Sequence, residues 1–236
     1  YLGKRSLRAA GKLGMAMPPQ LGRLETILGW PAKAVTTLEH RLNPTGFVIR
    51  GESEPDSILE EIAWDNQLSE LQSMAHTASL IHGTAFITVS AGDETQGEPP
   101  AIIAARSARE ASALYNKRTR RIVAGMTVNN DEVGKAQQVV LWLPETVVEI
   151  TRSGNGWHID RQPHWLGAVP MERLAFRPHL EQTFGMPRIT DEVMGLNDAA
   201  VRTMLRMEGT AEFFSFPQRY ALGVDSDDFA DTFKTY

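Results

Sequence analysis

Six histidines and an aspartate-rich run near the end are the side chains from which this 236-residue chain would have to build a metal site, and their spacing argues against one. His76 and His82 stand six apart on one predicted helix, so they point to different faces, unlike a chelating pair four apart. His158 and His164 flank Trp157 and Trp165 in a strand-rich segment and read as cross-strand partners. Asp225-Ser226-Asp227-Asp228 begins like a calcium loop, but Phe229 takes the third ligand position and no glycine follows where the sharp turn needs one. It reads as a solvated acidic loop.

Other chemistries fail on composition. There is no cysteine, so disulfides, thiolate nucleophiles and thiolate metal sites are excluded, which fits a reducing compartment. Neither GxGxxG nor GxxxxGK[ST] occurs, and Gly154-Asn155-Gly156 is turn chemistry rather than a phosphate cradle at a helix start. No GxSxG elbow is present, and Ser, His and carboxylate residues are scattered without triad spacing. No catalytic residue and no cofactor is expected.

Two basic clusters, Lys4-Arg5-Arg8-Lys12 and Lys117-Arg118-Thr119-Arg120-Arg121, could touch phosphate, but neither is interleaved with aromatics for base stacking. Both read as solvated. A formal net charge of −5 argues against a dedicated nucleic-acid binder, whose affinity comes from neutralising phosphates, without excluding loose contact with DNA. Apolar runs such as 139–143 fall far short of the ~20 residues needed to cross a bilayer, and no signal-peptide pattern opens the chain. The expectation is a soluble, unexported protein whose first residue, Tyr1, and closing stretch, 229–236, mark truncations or limits of order.

The elements that must position these residues are legible from periodicity. Residues 20–42 predict two short helices divided at Trp30-Pro31, followed by a short strand over 46–50. Ser57-Ile58-Leu59-Glu60 has a capping-box pattern, and Trp64, Leu68, Leu71, Ala75 and Ala78 then repeat as one amphipathic helix, with Gly83 at its left-handed C-cap. Strands follow over 84–90 and from Ala101, then a small helix over 108–115, then a strand over 121–128. Two apolar runs between Gln138 and Ile159 end in a hairpin whose type I′ turn is placed at Asn155-Gly156, which makes the middle mostly antiparallel sheet. The segments 167–170 and 176–178 read as extended connectors before proline.

A second long helix runs from Thr190, its N-cap, to Ser215. Ile189, Val193, Leu196, Ala200, Met204, Met207, Ala211 and Phe214 form one stripe on it, and Asp191, Gly195, Asp198, Arg202 and Arg206 another. Asp198 and Arg202 are spaced as an ordinary i,i+4 pair. Strands clustered in the middle without βαβ alternation predict an α+β fold.

The stretch from Asp191 to Phe229, DEVMGLNDAAVRTMLRMEGTAEFFSFPQRYALGVDSDDF, is similar to a stretch of the portal proteins of long-tailed double-stranded-DNA bacteriophages. There a helix with an Asn/Thr-Asp-Ala core leads into an aromatic-Pro-Gln-Arg-aromatic element and an LGV-acidic turn. Further pieces agree in order: Gly29-Trp30-Pro31, Glu39-His40-Arg41-Leu42, Gly46-Phe47, Trp64 with Asn66 and Leu68, Ala75-His76, His82-Gly83-Thr84-Ala85-Phe86 and Leu166-Gly167-Ala168-Val169-Pro170. The chain departs from the pattern where related portals have Gly-x-Ser before the long helix. Here Phe184-Gly185-Met186-Pro187-Arg188-Ile189-Thr190 stands instead, so Thr190 takes the capping role.

The resemblance implies a wing domain over 1–188 with two long helices in all, a stem helix over 189–216, and the start of a clip or connecting strand over 217–236. The rest of the clip, the second stem helix and the tunnel loop fall beyond Tyr236. It implies a structural, non-enzymatic protein at the capsid vertex of the virion, assembled in the host cytoplasm into a ring, a dodecamer in the full-length protein. Double-stranded DNA passes through the ring, without sequence specificity, during packaging and ejection. The implied partners are the terminase large subunit, the major capsid protein and a head-tail adaptor, with no membrane. Asp198, Arg202, Arg206, Glu208 and Glu212 become subunit-interface or channel residues, and Pro217, Gln218 and Arg219 a structural motif. Another head-tail adaptor or capsid protein, or a nucleic-acid-processing enzyme with a dispersed site, are the alternatives.

Overall fold

In the computed structural model, residues 28–49, 51, 54, 56–154 and 156–215 are described. The architecture is α+β, as expected. Helix α1 (Trp30–Glu39) starts at the Trp30-Pro31 step, proline being preorganised for a first helical turn. The helix expected before it lies outside the described residues, as does part of the 46–50 strand. Its described part forms only an isolated bridge at Val48, and Phe47, Val48 and Ile49 remain exposed.

The helix expected from Ser57 onward is two helices, α2 (Ser57–Asp65) and α3 (Leu68–His82). The N-cap is Asp56 rather than Ser57: its carboxylate accepts from the Leu59 amide at 2.9 Å. The break falls at Asn66-Gln67, with Gln67 in the left-handed region at φ 48°. Asn66 explains it. Its Nδ2 donates to the Ala101 carbonyl and its Oδ1 accepts from the Ile103 amide, at 2.9 and 2.7 Å, so the side chain ties the end of α2 to the edge of a strand. Gly83 closes α3 at φ 88°, as its position predicts.

Eight antiparallel strands follow: β1 (Thr84–Ala91), β2 (Ala101–Ser107), β3 (Ala111–Asn116), β4 (Arg121–Asn130), β5 (Ala136–Trp142), β6 (Thr146–Ser153), β7 (Gly156–Pro163) and β8 (Met171–Ala175). They form a three-stranded sheet ordered β2-β1-β8 and a five-stranded sheet ordered β3-β4-β5-β6-β7. The small helix expected over 108–115 is instead a turn and β3; Ala111 is buried and the segment pairs with β4, so tertiary pairing overrides its helical composition. Strand β8 falls in a stretch read as connector on either side.

The hairpin between β6 and β7 exists, but Gly156, expected in the turn, pairs with Ser153 and belongs to β7. Gly154 supplies the positive φ, 57°, that such a turn requires. Arg177, expected to be extended before Pro178, is left-handed at φ 49°.

The sheets face each other across the core. Phe86 from β1 and Met171 from β8 pack with Ala111, Ile122, Val140, Trp142 and Val147 from the larger sheet. Helix α3 covers β1 and β2, and α1 packs on α3, burying Val35, Ala75 and Leu80. Polar residues also cross between the sheets. Arg106 of β2 donates to Asn129, Asn129 to Gln138, and Gln138 to Glu149, a ladder running across β4, β5 and β6. The Arg173 guanidinium of β8 lies 4.0 Å from the Tyr115 ring centre on β3, a cation–π contact between the sheets.

Contacts divide the described chain into two units at residues 194 and 195, within the long helix α4 (Asp191–Ser215). That helix forms over nearly the whole predicted span. Of the two long helices expected, α4 is one 25-residue element, and the other is the broken α2–α3 pair.

Candidate interaction surfaces

Helix α4 carries most of the residues singled out by sequence. Its start is organised by Thr190, whose carbonyl accepts from the Met194 amide at 3.0 Å. The Thr190 hydroxyl donates to the Glu192 carboxylate, and that hydrogen bond holds the carboxyl below its usual range. Acidic residues in the first turn also suit the positive end of the helix dipole.

Along the second unit's part of the helix, the covered face consists of Asn197, Val201, Leu205 and Gly209. The apolar stripe expected to pack is largely bare: Leu196, Met207 and Phe214 are 67%, 67% and 83% exposed. Arg202, Arg206 and Glu208 are exposed, whereas Asp198 is half-buried and engaged in an interaction of its own. Glu212 lies on α4; Pro217, Gln218 and Arg219, with the Asp225 run, lie outside the described residues.

The second surface is the tip of the β3–β4 hairpin. Asn116 shapes it, its Oδ1 accepting from the amides of Arg118 and Thr119 at 2.9 and 3.2 Å, while Arg120 adopts φ 55°. Lys117 donates to the Leu180 carbonyl, and Arg118, Arg120 and Arg121 are exposed. Exposed Leu114, Val123 and Met126 lie on the same two strands.

The third is an open cleft that no sequence pattern marked. It is lined by the 44–47 segment, by Glu60, Glu61 and Trp64 of α2, and by Glu70 of α3. Trp64, expected on the core stripe of a single helix, is 85% exposed because the break at Asn66-Gln67 separates its register from that of α3. An asparagine inside an otherwise helical pattern was the available signal.

The histidines do not converge. His158 pairs across the strands with Thr151, and His164, just past β7, donates its amide to the Glu145 carbonyl at 2.9 Å with its Nε2 3.0 Å from the Leu143 carbonyl oxygen. Partial desolvation, and then the positive charge of Arg109, hold the His82 imidazole below its ordinary value although much of the ring is exposed. Among the described residues no group of three His, Asp or Glu side chains could hold a metal ion, and no helix is long and apolar enough to cross a membrane.

No family model matches the chain. The portal proteins of Mycobacterium phage L5 and Mycobacterium phage D29 are each 28% identical to it, over 92% of its length. The chain is similar to phage portal proteins. The resemblance read from ordered motifs therefore extends across nearly the whole sequence, while the chain spans about half, 46%, of the length of either relative. Both the sheets and α4 fall within a stretch comparable to portal sequence.

Proposed function

We propose that this chain is part of a portal ring, a structural protein of the virion with no enzymatic role of its own, through which double-stranded DNA passes during packaging and ejection. The similarity to two portal proteins over 92% of the chain carries the reading. In it, residues 1–188 form the wing, 189–216 a stem helix and 217–236 the start of the clip or a connecting strand. The ring is a dodecamer, assembled in the host cytoplasm and seated at the capsid vertex. It contacts the terminase large subunit, the major capsid protein and a head-tail adaptor. A channel lined by many cations would hold phosphate tightly and in a salt-dependent way, so the chain's mild acidity suits transit better than grip.

Electron microscopy of the full-length protein tests this: rings with a central opening wide enough for duplex DNA are expected, and particles without a channel would refute it. Helix α4 has a separate test. Its bare apolar stripe supports packing between subunits, with Asp198, Arg202, Arg206, Glu208 and Glu212 at the interface or channel. Replacing Arg202 and Arg206 together by Glu should impair ring assembly and DNA packaging. Unchanged assembly and packaging would remove these residues from that role.

A further inference from the structure

The acidic cleft and the basic hairpin have complementary chemistry on one chain. The cleft presents Glu60, Glu61 and Glu70 beside two exposed aromatics, Phe47 and Trp64, and among the described residues no Lys or Arg lines it. Helix α2, which forms one wall, buries none of its residues and also leaves Ile58 and Leu59 exposed. The hairpin presents Arg118, Arg120 and Arg121 together with bare Leu114 and Val123.

Neither set is satisfied at home. Among the described residues the ion pair formed is His40 with Glu39, and the carboxylates of Glu60, Glu61 and Glu70 and the guanidiniums of Arg118, Arg120 and Arg121 have no hydrogen-bond or ion-pair partner. The two surfaces also belong to different layers: α2 and α3 lie beside the three-stranded sheet, whereas the hairpin is an edge of the five-stranded one.

We propose that the cleft is the docking site for the β3–β4 hairpin of a second copy of this chain, an inference that rests on the ring reading above. Arginine suits the cleft in two ways. Its planar fork pairs with carboxylates bidentately, and it stacks on exposed indole, so one guanidinium can be held by a glutamate and by Trp64 together. The apolar residues around both charge sets supply the area that an ion pair alone lacks. Because the two patches differ, the contact is heterologous. Each copy offers a hairpin to one neighbour and a cleft to the other, the arrangement that closes into a ring rather than a two-fold dimer.

The test uses the full-length protein in three forms: Glu60→Arg with Glu61→Arg, Arg118→Glu with Arg120→Glu, and all four substitutions together. Each pair alone should weaken self-association at least about 100-fold, since like charges then face each other across the contact. Their far-UV circular dichroism should match that of the unmodified protein, because these side chains have no partners among the described residues. The fourfold variant should assemble. So should an equal mixture of the two pairs, now as rings of alternating subunits, because each reversed cleft meets a reversed hairpin. Rings that persist in both paired variants, or paired variants that fail to assemble even when mixed, overturn the docking while leaving the portal reading intact. An unmodified full-length protein that never self-associates overturns both.

Discussion

Replacing Trp142 by Ala should destabilise the two-sheet unit by roughly 3–5 kcal/mol, the range for removing a buried aromatic from a well-packed core. The indole is 6% exposed and sits among Phe86, Ile122, Val140, Val147 and Met171, so both sheets line the space it would vacate. Its Nε1 donates to the Thr127 hydroxyl at 3.0 Å, and Thr127 is itself buried, so truncation also strips a hidden hydroxyl of a partner. For a unit of this size the loss corresponds to a fall in Tm on the order of 10 °C, measurable by calorimetry. Trp142→Phe separates the contributions: it keeps most of the volume and gives up the hydrogen bond, and should lose only about 1–2 kcal/mol. Equal losses in the two variants would mean that the hydrogen bond, not the packed ring, holds the sheets together.

The same residue shows what a sequence can and cannot reveal. The apolar run around Val140 and Trp142 announces a strand, and the β-branched and aromatic run at Thr84–Ser90 another, because residue type and run length between turns need no knowledge of the partner. Helix α4 was equally legible, since its 3.6-residue period is also local. Its burial was not: the stripe of Leu196, Met207 and Phe214 marks an apolar face, and nothing in the periodicity says whether that face is covered within the chain. The failures share a cause. Residues 108–115 have helical composition but become β3 because β4 offers an edge, and the 57–82 helix breaks because Asn66 bonds to β2, 35 residues away in sequence. Long-range hydrogen bonding decided both, and local propensity does not contain it. The acidic cleft escaped notice for the same reason, since it exists only once α2 and α3 part and Trp64 turns outward.

Gly185→Ala should be about as damaging as the core truncation, and for a reason confined to the backbone. Gly185 has φ 82°, where an L side chain costs about 1–2 kcal/mol. An added Cβ would also press against the carbonyl oxygens of Gly83 and Phe176, main-chain atoms that cannot rotate aside as a side chain could. Those carbonyls are already committed: Gly83 O accepts from the Phe176 amide at 2.8 Å, and Phe176 O from the Met186 amide at 2.9 Å. Three strands of main chain therefore meet at one point, the C-cap of α3, the exit from β8 and the lead-in to α4. Forcing them apart should add roughly 1–3 kcal/mol to the conformational term, for a total of about 3 kcal/mol or more. Gly167→Ala provides the control, because φ is 62° but nothing lies within 4 Å of the added carbon, so only the conformational cost of about 1–2 kcal/mol remains. Hydrogen exchange locates the damage: the amides of Met186 and of Arg188, which donates to the Leu80 carbonyl at 2.8 Å, should lose protection in Gly185→Ala and keep it in Gly167→Ala. Equal destabilisation by the two substitutions would show that the junction yields to the extra carbon. Protection lost only in Gly185→Ala would mean that this stretch fixes the start of α4 by main-chain crossing.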